Sequence, residues 1–537
     1  MQFRLPSYHG SRATAVLPGH VLYGYFPPVA AGLMNAALFA GVGVVALARI
    51  GHGVAGRYWF QHIMLLALVL NPVVLAAFAR GYVDGPSLGL GLASIAAILA
   101  AERSPRSVFL LLAGAGITLS FCAHPFGGGM AGLTVATIWI AVCGSPRAFL
   151  RGGLLMALGA ALALLALALA SAAIGLPFNF LALTIPALTS ALTALANLPS
   201  PFLLPLNEWA PAATRLLMFP SAILLLVVGG VASRNTWRDP ATRALAVAAL
   251  VPIAVMALTL LDSSFFFQFA YYAIYLWLGL VPAMVLYLRR IEHLGAAGDA
   301  TLAAALAACI VLPLLIGSAL PLGLRDGTTF LVLAWLLLAL LFGGFIMAAL
   351  GRRERLAALL LALLIGFSGS LNRDTATVFR LADAPDLAAQ QRSLDAFRAV
   401  LDAEGVTRTN YIVWIGRDRF TEVRRIPPET LYQLSYAGVV LRLNMLDSLI
   451  ATLGWHAVAI GFNMPTLGPD AGRMLDTLNP TPRPLITLCA TEADCEAGFT
   501  ALEERGIFVA RRPFHHIDER GSHPFLVGIA DVSAPLR

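Results

Sequence analysis

Long apolar runs fill the chain up to about residue 371, and short polar loops separate them. A transmembrane helix needs roughly 20 mainly apolar residues, so this pattern predicts about twelve spans. The runs lie near 27–49, 60–79, 86–101, 108–123, 129–143, 153–175, 216–233, 244–261, 266–288, 301–320, 329–350 and 356–371. The third to fifth runs are short, which leaves tilted or re-entrant segments open for them.

Arginines mark every second loop of this pattern. The loops after the odd-numbered runs are rich in arginine, and those after the even-numbered runs are poor in it. Arg103 with Arg106 and Arg234 with Arg238 are two such groups. Because positive side chains are retained on the cytoplasmic side, the alternation predicts that the arginine-rich loops are cytoplasmic. The segment after the last span is then exterior, and so is the loop before the third span.

The pattern changes after Asn372, where charges become frequent and the apolar runs shrink to strand length. TNYIVWIG, WHAVAIGF, PRPLITLC and GIFVARR read as strands, with helical stretches between them. The chain is therefore expected to be a polytopic α-helical membrane protein with a C-terminal soluble α/β domain. The predicted divisions are an exterior N-terminal segment (1–26), a transmembrane domain (27–372) and an exterior α/β domain (373–537).

Composition excludes a soluble globular protein. Hydrophobic residues make up 59% of the chain and charged residues 12%, with a mean hydropathy of +0.80, whereas soluble domains carry about 25% charged residues. The net charge of +7 comes from arginines at helix ends and does not indicate a nucleic-acid partner. Every cationic side chain is an arginine, which is typical of a GC-rich bacterial genome. A bacterial inner membrane is therefore the expected location, with a periplasmic C-terminal domain.

The predicted exterior domain carries no recognisable cofactor motif. Residues 373–537 hold no GxGxxG, no Walker motif and no paired-cysteine zinc spacing, so no cofactor is evident and the need for a divalent metal stays open. Cys489 and Cys495 lie close together in LCATEADCEAGF. In an oxidising compartment they could form a disulfide, and two unpaired thiols are the alternative.

The first carboxylate of the chain, Asp84, lies in the loop before the third span, close to Arg80 and Tyr82. It is a candidate catalytic residue, but an aspartate here can equally cap the following helix. His124 lies in FCAHPFGGGM and is a candidate substrate-binding residue, or else a polar residue at a helix break. Arg80 and Tyr82 are candidate substrate-binding residues in the same loop as Asp84.

A second exterior stretch, LDSSFFFQFAYY, joins the eighth and ninth spans. Asp262, Gln268 and Tyr271 within it are further candidates for substrate binding. Asp262 before two serines also fits a helix cap. The aromatic side chains fit an interfacial belt, and a groove for a lipid chain is the alternative.

Four stretches resemble segments of the GT-C superfamily of integral-membrane glycosyltransferases, in the branch of protein O-mannosyltransferases and lipid A aminoarabinose transferases. They are GHVLYGYFPPVAAGLMNAALF, NPVVLAAFARGYVDGPSLGLGLASIAAIL, GAGITLSFCAHPFGGGMAGL and FFFQFAYYAIYLWLGLVPAMVLYL. The first is similar to an aromatic-Pro-Pro segment, and the third to a GLAxLTKP-type segment with His124 where a lysine is common. The resemblance covers roughly residues 18–290.

The resemblance implies a polyprenyl-phosphate sugar donor, an exterior lipid, glycan or protein acceptor, and a catalytic aspartate in the first exterior loop. In this sequence residues 1–26 stand for that loop and hold no acid. The expectation is a sequence that lacks the family's first span and first exterior loop. Asp84 then belongs to the second exterior loop, where it would orient an acceptor or a metal, or act as the base itself. Arg80 would meet the donor phosphate.

The function implied by the resemblance is transfer of a sugar from a polyprenyl-phosphate donor to an exterior acceptor. Two alternatives stay open. The lack of an acid in residues 1–26 fits a non-catalytic relative that acts as a scaffold. A transporter or flippase for lipid-linked glycans would favour charged residues within the spans and internal repeats, and the sequence shows almost none of the former and no convincing repeat.

Overall fold

The computed structural model describes residues 12–26, 28–54, 84–103, 107–173, 239–262, 274–292, 328–351, 353–370, 411–417, 458–464, 485–489, 509–518 and 521–530, with isolated positions between them. Contacts divide the chain into two compact units. One holds Phe3–Tyr25 and Val29–Arg380 and is called the helical unit below; the other consists mainly of Leu381–Arg537. The predicted domain limits at residues 26 and 372 stay predictions.

Ten helices make up the described part of the helical unit. They are α1 (Ala13–Tyr25), α2 (Pro28–Val54), α3 (Asp84–Arg103), α4 (Ser107–Ala123), α5 (Pro125–Val142), α6 (Pro146–Ala173), α7 (Pro240–Asp262), α8 (Trp277–Glu292), α9 (Thr328–Leu350) and α10 (Glu354–Ser370). Each helix from α2 to α10 overlaps one predicted span. The runs at 60–79, 216–233 and 301–320 lie almost entirely outside the described residues.

Five of the described helices are long and apolar enough to cross a bilayer: α2, α3, α5, α6 and α7. Helix α6 shows the pattern of a lipid-facing span. Its exposed leucines form one stripe at spacings of three and four residues, namely Leu150, Leu154, Leu158, Leu162, Leu165 and Leu169. An exposed apolar stripe on a helix long enough to cross a bilayer is typical of a surface that faces lipid. The described residues therefore belong to a multi-pass membrane protein.

Helix α3 lies at the centre of the unit and packs against α4, α5, α7 and α8. Its apolar side chains, among them Leu88, Leu92 and Ile95, are buried in the main core cluster. In lipid, helices are held together mainly by close van der Waals packing, which small residues allow. Helices α4 and α6 approach each other closely at two glycines: Gly114 faces the Met156 backbone, and Gly159 faces the Leu111 backbone.

Helix α1 was not predicted from the sequence. It has 13 residues with Pro18 inside, which makes it too short to span a bilayer. It packs on α4 and α6, where Ala13 and Leu17 join Cys122 and Leu167 in a small core cluster. Burial of its small apolar residues against two other helices stabilises a segment that its own hydropathy does not mark as a span.

The described strands of the second unit form one five-stranded sheet in the order β2-β1-β3-β5-β4. The strands are β1 (Tyr411–Arg417), β2 (Val458–Met464), β3 (Leu485–Cys489), β4 (Val509–Asp518) and β5 (Gly521–Ala530). The centre strand β1 pairs in parallel with β2 and β3, and β5 pairs antiparallel with β3 and β4.

The first four strands overlap the four stretches predicted as strands, and β5 was not predicted. Strands β4 and β5 form a hairpin in which Asp518 pairs with Gly521. Cys489 is the last residue of β3, and Cys495 lies outside the described residues. The disulfide between these cysteines stays a prediction.

Candidate functional site

Six buried polar residues from four separate segments surround the first turn of α3. We call them the Asp84 cluster: Arg12, Asp84, Ser87, Ser120, His124 and Tyr275. Arg12 precedes α1, Ser120 and His124 belong to the junction of α4 with α5, and Tyr275 lies in the short 3₁₀ turn that leads into α8. Burial of polar groups is costly unless they interact with one another. Their convergence makes this region the candidate functional site.

Asp84 and Tyr275 form the central contact of the cluster. The Tyr275 hydroxyl donates a hydrogen bond of 2.7 Å to Oδ1 of Asp84, across 191 residues of sequence. Asp84 is also the first residue of α3, where the helix dipole stabilises a negative charge. The prediction that Asp84 caps its helix electrostatically and the prediction that it belongs to a site are therefore compatible.

Ser87 and Ser120 join α3 to α4 beside this contact. The Ser87 hydroxyl donates to the Ser120 carbonyl at 3.1 Å, and the Ser120 hydroxyl donates to the Ser87 carbonyl at 2.8 Å. The two hydroxyl oxygens are 3.0 Å apart. Ser87 lies three residues after Asp84, on the same face of α3. The reciprocal pair thus fixes the position of Asp84 relative to α4.

Replacing Ser87 with alanine should lower the stability of the helical unit by about 1 kcal/mol, because hydrogen bonds between membrane helices contribute about this much. Ser94→Ala is the matched control, since Ser94 is buried on the same helix but donates only to the Leu90 carbonyl of its own helix, at 2.9 Å. Thermal unfolding in detergent micelles checks the difference. Equal destabilisation by the two substitutions would show that the interhelical pair contributes nothing.

His124 lies at the break between α4 and α5, as the sequence predicts. Its backbone is extended (φ −149°, ψ 117°) and Pro125 follows it as the first residue of α5, because proline disfavours a helical residue before it and is favoured at a helix start. The imidazole ring is 5.6 Å from the Tyr275 ring, and the Phe126 ring meets Tyr275 edge-on at 5.5 Å. The helix break therefore also places two rings around Tyr275.

Arg12 brings a positive charge into the cluster. Its side chain is only 1% exposed, and its charge acts electrostatically on both His124 and Tyr275. Its carbonyl accepts hydrogen bonds of 3.0 Å from the amides of Ala15 and Val16, which start α1. A buried arginine is rare in proteins and needs compensating groups. The start of α1 therefore places a positive charge close to His124 and Tyr275.

Gly127 leaves room for the Tyr275 ring. A Cβ at this position would lie 2.7 Å from Cζ of Tyr275 and would overlap both its Cε1 and the Ser87 hydroxyl. Any larger residue must therefore displace Tyr275 or Ser87. In HPFGGG, the neighbouring Gly129 is exposed and has no atom within 4 Å of its Cβ position.

Gly127→Ala is expected to destabilise the protein by about 1–2 kcal/mol, since overpacking a buried position costs this much and the neighbouring side chains can shift only partly. It should also lower activity, because the displaced Tyr275 loses its bond to Asp84. Gly129→Ala should change neither property. Unfolding in detergent together with an activity assay on both variants checks this; an unaffected Gly127→Ala protein would contradict the packing argument.

Two of the predicted site residues, Asp84 and His124, both contact Tyr275 in the described structure. Arg80, Tyr82, Gln268 and Tyr271 lie outside the described residues. Asp262 ends α7, and its side chain is not among those described. Within the described part of the chain, no group of three or more His, Cys, Asp and Glu side chains could hold a metal ion. The metal question from the sequence thus stays open.

Sequence reasoning missed four members of the cluster: Arg12, Ser87, Ser120 and Tyr275. Ser87 carried a usable signal, because a polar residue one turn after Asp84 must share its face of the helix. Tyr275 lies in the aromatic run that also contains the predicted candidate Tyr271. The run does not show which of its tyrosines faces Asp84, because that depends on the rotation of the 3₁₀ turn before α8. Nothing in the sequence indicated that Arg12 belongs to the cluster, apart from its being a charged residue followed by small apolar ones.

Comparison with known proteins gives only distant structural likenesses. No family model matches the chain, and no curated protein matches it. The crystal structure of ArnT from Cupriavidus metallidurans in the apo state is similar at a TM-score of 0.43 and 14% identity, covering 96% of this chain and 87% of that one. The same protein bound to undecaprenyl phosphate is similar at a TM-score of 0.40 and 14% identity, covering 94% of this chain and 84% of that one.

Proposed function

We propose that this chain is a GT-C-type membrane glycosyltransferase that moves a sugar from a polyprenyl-phosphate donor to an exterior acceptor. One observation carries the proposal. Asp84, His124 and Tyr275 come from three of the four stretches that resemble the GT-C superfamily, and they meet in one buried polar cluster. Side chains that served only to pack the helices would not need to place a carboxylate, an imidazole and a phenol together.

The proposed reaction is a substitution at the anomeric carbon of the donor sugar. An acceptor hydroxyl or amine forms a bond to that carbon, the carbon–oxygen bond to the phosphate breaks, and the polyprenyl phosphate leaves with the electron pair. The acceptor loses a proton during this step, and a carboxylate near the reacting atoms can take it. Asp84 is the carboxylate of the cluster and is proposed to orient the acceptor and to serve as this base.

The leaving phosphate requires positive charge and hydrogen-bond donors nearby. Arg80 keeps the role of meeting the donor phosphate as a proposal, with Tyr82, Asp262, Gln268 and Tyr271 as further proposed substrate contacts. Arg12 contributes a fixed positive charge to the cluster, which balances the charge of Asp84. The polyprenyl tail would stay in lipid, next to apolar helix faces such as the leucine stripe of α6.

The remaining proposals concern location. The protein is proposed to lie in a bacterial inner membrane with its arginine-rich loops in the cytoplasm. In this orientation the Asp84 cluster lies at the exterior ends of its helices, and the unit with the five-stranded sheet is periplasmic. An exterior lipid, glycan or protein is the proposed acceptor.

The proposed function is tested with the purified full chain in proteoliposomes. Radiolabelled undecaprenyl-phosphate mannose and undecaprenyl-phosphate aminoarabinose are supplied as donors, with a lipid and glycan extract of bacterial envelopes as acceptor. Protein-dependent release of undecaprenyl phosphate and movement of label to the extract are expected. Transfer of intact donor across the bilayer would instead support a flippase, and neither event with any donor would support a scaffold.

A further inference from the structure

We propose that Tyr275 is a positioning residue that holds the Asp84 carboxylate in its working orientation and favours its charged form. The inference rests on the proposed function, since it assigns a role within the same site. Tyr275 is not among the candidates found from the sequence, and it acts on the reaction only through Asp84.

The hydrogen bond between Tyr275 and Asp84 is short and buried. The phenol oxygen is 2.7 Å from Oδ1 of Asp84, which is the length of a hydrogen bond between a hydroxyl and a carboxylate. Tyr275 is fully buried and Asp84 is 4% exposed. Bulk water therefore has little access to take the place of the phenol, and a carboxylate with this donor is stabilised in its charged form.

The Tyr275 ring is itself held in place on several sides. His124 and Phe126 flank it at centroid distances of 5.6 and 5.5 Å, and the missing side chain of Gly127 provides its space. The helix that follows Tyr275, α8, approaches α7 so closely that a Cβ at Gly279 would lie 2.6 Å from the Ala249 carbonyl oxygen. A ring fixed in this way can set the direction of the carboxylate it contacts.

The charged and titratable groups around Asp84 support this positioning role for the Tyr275 hydroxyl. The charged and titratable groups described around Asp84 are Arg12 before α1, His124 between α4 and α5, and Tyr275 before α8. Arg12 and Tyr275 both favour a negative charge on Asp84. Tyr275 does so through a direct hydrogen bond, which sets the orientation of the carboxylate as well as its charge.

Tyr275→Phe keeps the ring and removes the hydroxyl. In the transfer assay we expect kcat to fall about 10- to 100-fold, the effect of losing a hydrogen bond to a charged group, with KM little changed. In an Asp84→Asn background the same substitution should have almost no further effect on kcat. Tyr25→Phe is the matched control, because Tyr25 is 82% exposed, and it should behave as wild type.

A second readout does not depend on transfer. Dicyclohexylcarbodiimide, a lipid-soluble reagent, labels protonated carboxyl groups, and peptide mass spectrometry measures its addition to Asp84. Labelling of Asp84 should be several-fold faster in Tyr275→Phe than in wild type and unchanged in Tyr25→Phe. Equal labelling of all three proteins would overturn the inference. Wild-type protein without transferase activity but with this labelling difference would overturn only the proposed function.

Discussion

Replacing Asp84 with asparagine is expected to leave the protein folded and to lower the rate of sugar transfer by about 10²- to 10⁴-fold, the usual contribution of a general base. The amide keeps the shape of the side chain, and its carbonyl oxygen can still accept the hydrogen bond from Tyr275. It cannot take a proton from the acceptor. The measurement is the initial rate of donor consumption in proteoliposomes, with folding followed by size-exclusion chromatography and thermal unfolding.

Asp239 offers a matched control for this substitution. Its Oδ2 accepts hydrogen bonds from the amide of Thr242 at 3.1 Å and from its hydroxyl at 2.7 Å, at the start of α7. Asp239→Asn should therefore change stability by at most about 1 kcal/mol, the value of a helix cap, and leave transfer unchanged. If the Asp84→Asn protein transfers sugar at the wild-type rate, Asp84 has no part in the mechanism.

Gly159→Ala should destabilise the helical unit by about 3 kcal/mol, at the upper end of the range for overpacking. The added Cβ would overlap the Leu111 carbonyl oxygen on α4 and lie 2.7 Å from its carbon. Because these are backbone atoms of a neighbouring helix, they cannot rotate away as a side chain can. Relief requires α4 and α6 to separate along their whole contact. Thermal unfolding in detergent micelles measures the loss.

The control lies on the same helix. Gly153 has no atom within 4 Å of its Cβ position, so Gly153→Ala should leave stability unchanged or raise it by up to about 1 kcal/mol through better helix propensity. The pair separates packing from propensity, since both substitutions add one methyl group to α6. Similar unfolding temperatures for the two variants would contradict the close approach of α4 and α6.

The helices of the described structure were largely predictable, but their ends were not. The run at 153–175 indicated α6, which in fact begins at Pro146. The Ser145 hydroxyl accepts a hydrogen bond of 3.2 Å from the Ala148 amide, and Arg147 and Arg151 continue the helix. Hydropathy marks the part of a helix that lies in lipid, whereas the helix itself continues to its cap.

Two elements had weak signals in the sequence. Helix α1 is short and contains Pro18, so neither its length nor its composition indicates a span. Strand β5 (Gly521–Ala530) contains two glycines and Pro524, which are residues that strands disfavour. Both elements form through partners: α1 through its contact with α4 and α6, and β5 through pairing with β3 and β4 on its two sides.

The site was predictable only in part. Asp84 attracted notice because it is the first carboxylate of a strongly apolar chain, and His124 because a proline and three glycines follow it. Tyr275 could not be separated from the other tyrosines of FFFQFAYYAIYLW. Which of them faces Asp84 depends on where the helix starts and how it is rotated, and both are set by contacts with α3, α5 and α7.

The sequence by itself determined that this protein is built from apolar helices that need lipid around them, because the composition leaves too little polar surface for water. It also determined the breaks between helices, since proline and glycine act locally on the backbone. The tertiary structure alone decided that Arg12, Asp84, His124 and Tyr275 come together. Their convergence depends on the packing of helices distant in sequence, and that packing follows from the shapes of whole surfaces, which no local pattern of residues encodes.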